Sequence, residues 1–354
     1  MMKRVVVVGM AVTACAAMAV AQQTATWKGP QADTSVIDAH GTAHVQRVVP
    51  VPENLSPQAR KWVGKQVNDA EQKQSVAEQR RETDAWQEKA GAQAKLMYPV
   101  NVTMGRIAGV PVRIITPLHT PANKRNRVLL NVHGGGFVVD SGSLTETIPI
   151  ANLTQTKVIA VLYRLSPEHK FPAAVDDAVA VYKALLKKYK PRNMAIYGTS
   201  AGAILTPEIA VRLEQLDLPL PAALGVFSGM GDFSRPGDSQ AMYALNGLSG
   251  YLKVPHPGTQ LKEYVGTTDP RDRVLSPLFA DVKGFPPTMF MTSTRDLLLS
   301  GTSILQRHFY ESGVTSPMVV FEGLPHAFWN NFDIPESREA FEFQAKFFDR
   351  YVGR

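Results

Sequence analysis

Cysteine is nearly absent: the 354 residues contain one, Cys15. That excludes a disulfide framework and any zinc site built on thiolates. Charge is also sparse, at 19% Asp, Glu, Lys and Arg against 44% hydrophobic residues. A chain so composed has ample apolar surface to bury, so disorder is excluded as a global description. The formal net charge is +7, but it is not concentrated; basic residues adjoin only in short stretches such as Arg80-Arg81 and Lys187-Lys188. Nucleic-acid binding, which needs a basic stripe, is therefore not expected. After the first 22 residues no apolar run is long enough to span a bilayer.

The N-terminus reads as a targeting segment. Met1-Met2-Lys3-Arg4 is a short positive start, Val5 to Val20 is apolar and small, and Ala19-Val20-Ala21 offers a cleavage site. Residues 1–21 are expected to be a secretory signal peptide cleaved after Ala21, giving a periplasmic or secreted protein. Cleavage removes Lys3, Arg4 and Cys15, so the mature chain carries +5 and no thiol. Two alternatives stand beside it: a lipoprotein box at Val12–Cys15 that leaves a lipidated Cys15, and an uncleaved N-terminal anchor. Residues 22–53 mix Gln, Thr, Gly, Pro and His without a period and read as an extended arm. Residues 54–97, opened by the helix start Ser56-Pro57, read as polar helices that lie over another surface.

From residue 98 to 354 short apolar runs alternate with amphipathic stretches. Strands are predicted at Val100–Met104, Val110–Ile115, Arg127–Val132, Lys157–Leu162, Asn193–Tyr197, Ala222–Phe227, Thr288–Thr292 and Pro317–Glu322. Helices are predicted at Ala173–Tyr189, Ala201–Gln215, Gly301–Gly313 and Glu336–Tyr351. The alternation implies an α/β fold whose mostly parallel sheet of about eight strands carries helices on both faces. Residues 230–285 are too long for a simple crossover. They read as a cap insertion with a helix near Ser239–Leu245, and form a two-part lid together with the N-terminal helices.

Gly198-Thr199-Ser200-Ala201-Gly202 lies between a predicted strand and a predicted helix. A turn this tight needs small residues two before and two after the serine, and it presents the Ser200 hydroxyl as a nucleophile. His133-Gly134-Gly135-Gly136 closes another strand. Three glycines there bring bare N–H groups to a ligand, so Gly135, Gly136 and Ala201 are the predicted oxyanion hole. A phosphate cradle would need a following Lys-Ser/Thr or a G-x-G-x-x-G spacing, and neither is present.

The acid and base should follow the serine in that order. His326, in a turn after the last strand, is the predicted base; His256 lies in the lid, His308 in a helix, and His133 precedes the serine. Asp296, just beyond an apolar strand, is the predicted acid, with Asp232 as its competitor. The chemistry requires neither metal nor cofactor.

With these residues in place the chain, from Val100 to Tyr351, resembles the hormone-sensitive-lipase-like family of α/β-hydrolases, the bacterial carboxylesterases. The glycine loop His133–Phe137, the long run from Tyr163-Arg164-Leu165-Ser166-Pro167-Glu168-His169 to Phe171-Pro172-Ala173-Ala174-Val175-Asp176-Asp177, the serine turn, and the Asp296 and His326 contexts occur in the family's order. The resemblance implies a scaffold-bracing part for the long run, with Glu168 structural. Thr199 marks the Thr-bearing form of the serine turn, Ala203 replaces a frequent third glycine, Ala327 stands where glycine often follows the histidine, and Ser300 stands where a second acid often sits. The activity implied by the resemblance is that of a serine carboxylesterase acting on short- to medium-chain esters. Its partner is a small-molecule ester, with or without a second copy of the chain in a homodimer. Lactone or amide hydrolysis by the same residues, a non-catalytic binding protein on a hydrolase scaffold, and a membrane-attached surface protein are the alternatives.

Overall fold

The computed structural model describes residues 34–65, 74–244 and 261–353. The predicted signal peptide, Cys15 and His256 lie outside them. The chain divides into two units, Met1–Pro50 and Val51–Arg354. In the first, β1 (Thr34–Ile37) and β2 (Ala43–Gln46) pair antiparallel. Asp38 shapes the turn by accepting the His40 and Thr42 N–H groups on Oδ1, at 2.8 and 3.0 Å. The extended arm thus contains a hairpin, which the sequence did not announce because both strands are exposed on both faces and have no alternating pattern.

The second unit opens with α1 (Pro57–Val63) and α2 (Val76–Met97). Ser56 caps α1 as its sequence suggests, accepting the Ala59 N–H at 3.1 Å. Ser75 and Glu78 form a reciprocal capping box on α2. The strands and helices after these are β3 (Val100–Ile107), β4 (Val110–Pro117), β5 (Val128–Val132), α3 (Ile148–Thr154), β6 (Lys157–Val161), α4 (Ala173–Leu185), β7 (Met194–Thr199), α5 (Ala201–Gln215), β8 (Ala223–Phe227), α6 (Asp238–Tyr243), α7 (Lys262–Val265), β9 (Thr288–Ser293), α8 (Leu299–Glu311), β10 (Met318–Phe321) and α9 (Pro335–Tyr351). All eight predicted strands are present. Helix α4 stops four residues early, α8 starts two residues early, and α3 was not anticipated.

The sheet runs β10-β9-β8-β7-β5-β6-β4-β3, parallel except where β4 meets β3 and β6. Successive residues of β5 feed opposite faces: Val128, Leu130 and Val132 join the core under α4 and α5, and Leu129 joins the core under α3 and α9. Strand β5 has β6 on one side and β7 on the other, so chain order reverses at the β5/β7 boundary. Loops leaving the carboxyl ends of those two strands flank a crevice, the usual ligand position in an open α/β sheet. The glycine loop leaves β5 and the serine turn leaves β7.

Candidate active site

Ser200 joins β7 to α5 with φ 57° and ψ −120°. A non-glycine residue held there is strained, and the surroundings explain why it stays. A Cβ on Gly198 would fall 2.2 Å from the Val132 carbonyl oxygen, and one on Gly202 would fall 1.8 Å from the same atom. Glycine at both positions lets the turn press against the end of β5. The Ser200 N–H donates to the Phe227 carbonyl at 3.0 Å, which fixes the turn to β8 as well.

The same contact carries the glycine loop to the serine. Gly134 lies against the Thr199 carbonyl, and its own N–H donates to Glu146 Oε1 at 3.1 Å. Gly135 has φ 115°, and a Cβ there would meet the Val139 carbonyl oxygen at 2.0 Å. Gly136 faces open space. The N–H groups of Gly135, Gly136 and Ala201, the first residue of α5, have no acceptor among the described residues. His133 is committed elsewhere: its ring stacks on Tyr163 at 4.2 Å, and Tyr163 Oη donates to the His133 carbonyl at 2.7 Å. It braces the loop.

His326 and Asp296 are joined directly, Nδ1 to Oδ1 at 2.8 Å. Asp296 is fully buried, and every oxygen is used: Oδ1 also accepts the Leu298 N–H at 2.8 Å, and Oδ2 accepts Thr292 Oγ1 at 2.8 Å and the Ser228 hydroxyl. Burial pushes this carboxyl up, yet the facing His326 and these hydrogen bonds outweigh it and hold Asp296 below the ordinary carboxylate range. Among the described residues the competitor Asp232 bonds only within its own turn, to Ser234 and Arg235. His308 faces the Ala280 carbonyl at 3.0 Å, on α8.

Trp329, three residues after the histidine and fully buried, ties the His326 turn to the serine turn. Its indole N–H donates to Thr199 Oγ1 at 3.1 Å. The threonine that marks this form of the serine turn is therefore a hydrogen-bond partner of the histidine turn. Sequence reasoning missed Trp329 and Ser228, since no local pattern marks a bond across 130 or 68 positions; it also missed Thr292, which lies only four residues before Asp296 but reads as one more residue of the buried strand β9.

Glu146 was missed as well. It is buried behind the glycine loop, with Oε2 receiving Asn131 Nδ2 at 3.0 Å. Burial pushes its carboxyl up to about 8, against the opposing pull of the Asn131 and Gly134 donors. A folded value raised from about 4.5 means that its contribution to stability is complete below pH 4.5. It drains as the pH climbs through 8. Glu146→Gln cannot ionise, and turning Asn131 to present Oδ1, which is buried without a partner, accommodates the new amide. Thermal melts of the two proteins from pH 5 to 8 should show wild type losing up to about 4 kcal/mol relative to the variant. A gap that does not change with pH contradicts the raised value.

A cleft of about 580 Å³ adjoins the site. Trp62, Lys65, Trp86 and Lys89 line it from the N-terminal helices and the turn after α1, while His326, Ala327 and the chain to Asp333 line it from the other side. Helix α2 is anchored there by Arg80, which grips both oxygens of Glu168 at 2.8 and 2.7 Å and the carbonyls of Ser166 and Val138. The far insertion reaches the glycine loop: Tyr264 of α7 stacks on Phe137 at 3.5 Å and donates its hydroxyl to buried Glu208 at 2.6 Å.

Comparison with known proteins agrees with this architecture. Residues 129–330 match the α/β-hydrolase fold family. An acetyl-hydrolase of Streptomyces hygroscopicus is 30% identical over 240 residues, 66% of this chain and 79% of the relative. The crystal structure of esterase E25 superposes with a TM-score of 0.76 at 30% identity, covering 87% of this chain and 98% of that one. An esterase from the bacterial hormone-sensitive lipase family gives 0.74 at 25% identity, covering 84% and 99%. The chain belongs to the α/β-hydrolase family, with the bacterial hormone-sensitive-lipase-type esterases as its structural neighbours, and is a carboxylic ester hydrolase.

Proposed function

We propose that the chain is an exported serine carboxylesterase that cleaves short- to medium-chain esters through an acyl-enzyme. The observation that carries this reading is the His326–Asp296 pair, held in a turn that Trp329 bonds to the residue preceding Ser200. His326 takes the Ser200 proton as Oγ attacks the ester carbonyl, and the Gly135, Gly136 and Ala201 N–H groups receive the oxyanion. The imidazolium protonates the departing alcohol; water, deprotonated by the same ring, then releases the acid and restores the serine. Asp296 fixes the His326 tautomer and balances the imidazolium charge without taking up the proton.

The short-chain preference rests on the described parts of the N-terminal helices and of the far insertion that pack beside the glycine loop, Arg80 on Val138 and Tyr264 on Phe137, and on the acetyl-hydrolase relative. No helix among the described residues is long and apolar enough to cross a membrane. Mass spectrometry of protein recovered from cells, after treatment with a p-nitrophenyl phosphonate, tests both halves. The expected mature chain begins at Gln22 and carries one adduct, on the Ser200 peptide. An adduct elsewhere overturns the mechanism, and a mature chain beginning at Met1 or at lipidated Cys15 overturns cleavage after Ala21. In an ester series, kcat/KM should fall from butyrate to palmitate.

A further inference from the structure

The cleft beside His326 has a composition that ester hydrolysis alone does not require. Two indoles, Trp62 and Trp86, and two ammonium groups, Lys65 and Lys89, line its helical side. Trp86 is 43% exposed although its helix neighbours Gln87 and Ala90 are buried, so α2 turns this ring toward open space. Among the described lining residues the single carboxylate, Asp333, accepts Gln93 Nε2 at 2.7 Å. Neither Lys65 nor Lys89 has a carboxylate within ion-pair distance among the described residues. A partly enclosed wall of one sign focuses its field on whatever enters. The indole faces favour a planar ring and also disfavour leaving the cleft to water.

The position of His326 decides which half of the substrate this is. The imidazole hands its proton to the leaving oxygen, so a cleft lined by His326 and Ala327 receives the group attached to that oxygen. We propose that the cleft is a leaving-group site selective for aromatic alcohols carrying a negative charge, such as carboxylate-bearing phenols. The assignment deepens the reading above and depends on His326 acting as its general acid. The ring lies against Trp62 and Trp86, and the carboxylate lies between Lys65 and Lys89.

Three aryl acetates test this: 4-acetoxybenzoate (anionic), 4-acetoxybenzamide (neutral) and 4-acetoxy-N,N,N-trimethylanilinium (cationic), each kcat/KM divided by the ester's own hydroxide rate. The anion should lead the cation by about tenfold or more at low salt, and the lead should shrink as salt is added. Lys65→Gln with Lys89→Gln should bring the ratio close to one. Lys187→Gln with Lys188→Gln, which removes the same charge from exposed positions at the end of α4, should leave it in place. Trp86→Ala should lower kcat/KM for the benzamide ester more than for ethyl acetate. Equal rates for anion and cation in the wild type overturn the proposal, as does a ratio that both double variants lower alike, since overall charge would then account for it. If the neutral acetates are turned over with no charge bias, only this proposal fails. If no acetate is turned over, the reading of the site itself fails with it.

Discussion

Ser200→Ala is expected to lower kcat for p-nitrophenyl butyrate by roughly 10⁵–10⁶-fold while leaving the melting temperature within a few degrees of wild type. The fold should tolerate the change because the strain at residue 200 comes from the backbone, which an alanine also adopts, and because the serine side chain makes no cap hydrogen bond at the start of α5. Some rate should survive. The N–H groups of Gly135, Gly136 and Ala201 remain in place to polarise the ester carbonyl toward bulk water, and such donors with binding alone retain about 10³–10⁴ over the uncatalysed reaction. A variant that keeps a tenth or more of the wild-type kcat means that another group attacks the ester.

Residues whose part is dictated by their immediate neighbours were legible in the sequence. Gly198 and Gly202 must be small because the chain reverses within a few residues, and the three glycines after His133 stand out because strands seldom end that way. Short apolar runs set between amphipathic stretches marked the eight strands and the alternation of layers for a similar reason: the central strands are buried on both faces and read as unbroken apolar runs. Contacts that join distant segments left no such trace. Nothing near Ser228 announces that it meets Asp296, and nothing near Trp329 announces Thr199. Glu146 reads as an ordinary polar residue until α3 and β5 bury it. Helix α3 begins Ile148-Pro149 directly after a loop and is buried on nearly every side, so it has no polar face to set a helical period. Ala327 illustrates the opposite case: it stands where glycine often follows the histidine, and the structure holds it at φ 54°, the left-handed region that glycine fills without strain.

Asp296→Asn offers a sharper test of the proposed pair than alanine does, because the four donors around the carboxylate are of two kinds. Leu298 N–H can only donate, so the Oδ1 position must remain an oxygen; that is the atom His326 also uses. Ser228 and Thr292 are hydroxyls, whose protons rotate and whose oxygens can accept. An asparagine can therefore place its NH₂ on the hydroxyl side and keep its oxygen on His326, which preserves the tautomer that carries its lone pair on Nε2. What it loses is the negative charge beside the imidazolium, worth about 3–5 kcal/mol for a buried pair, or roughly 10²–10⁴ in kcat. Asp296→Ala also loses the orientation of the ring and should fall further. Adding Ser228→Ala and Thr292→Val to Asp296→Asn removes the acceptors for the new amide. The amide NH₂ is then buried without an acceptor while its oxygen still receives Leu298 and His326, so the cost falls on folding: the triple variant should melt well below Asp296→Asn while its kcat changes little. Equal kcat for the asparagine and alanine single variants contradicts a tautomer-holding part for this carboxylate.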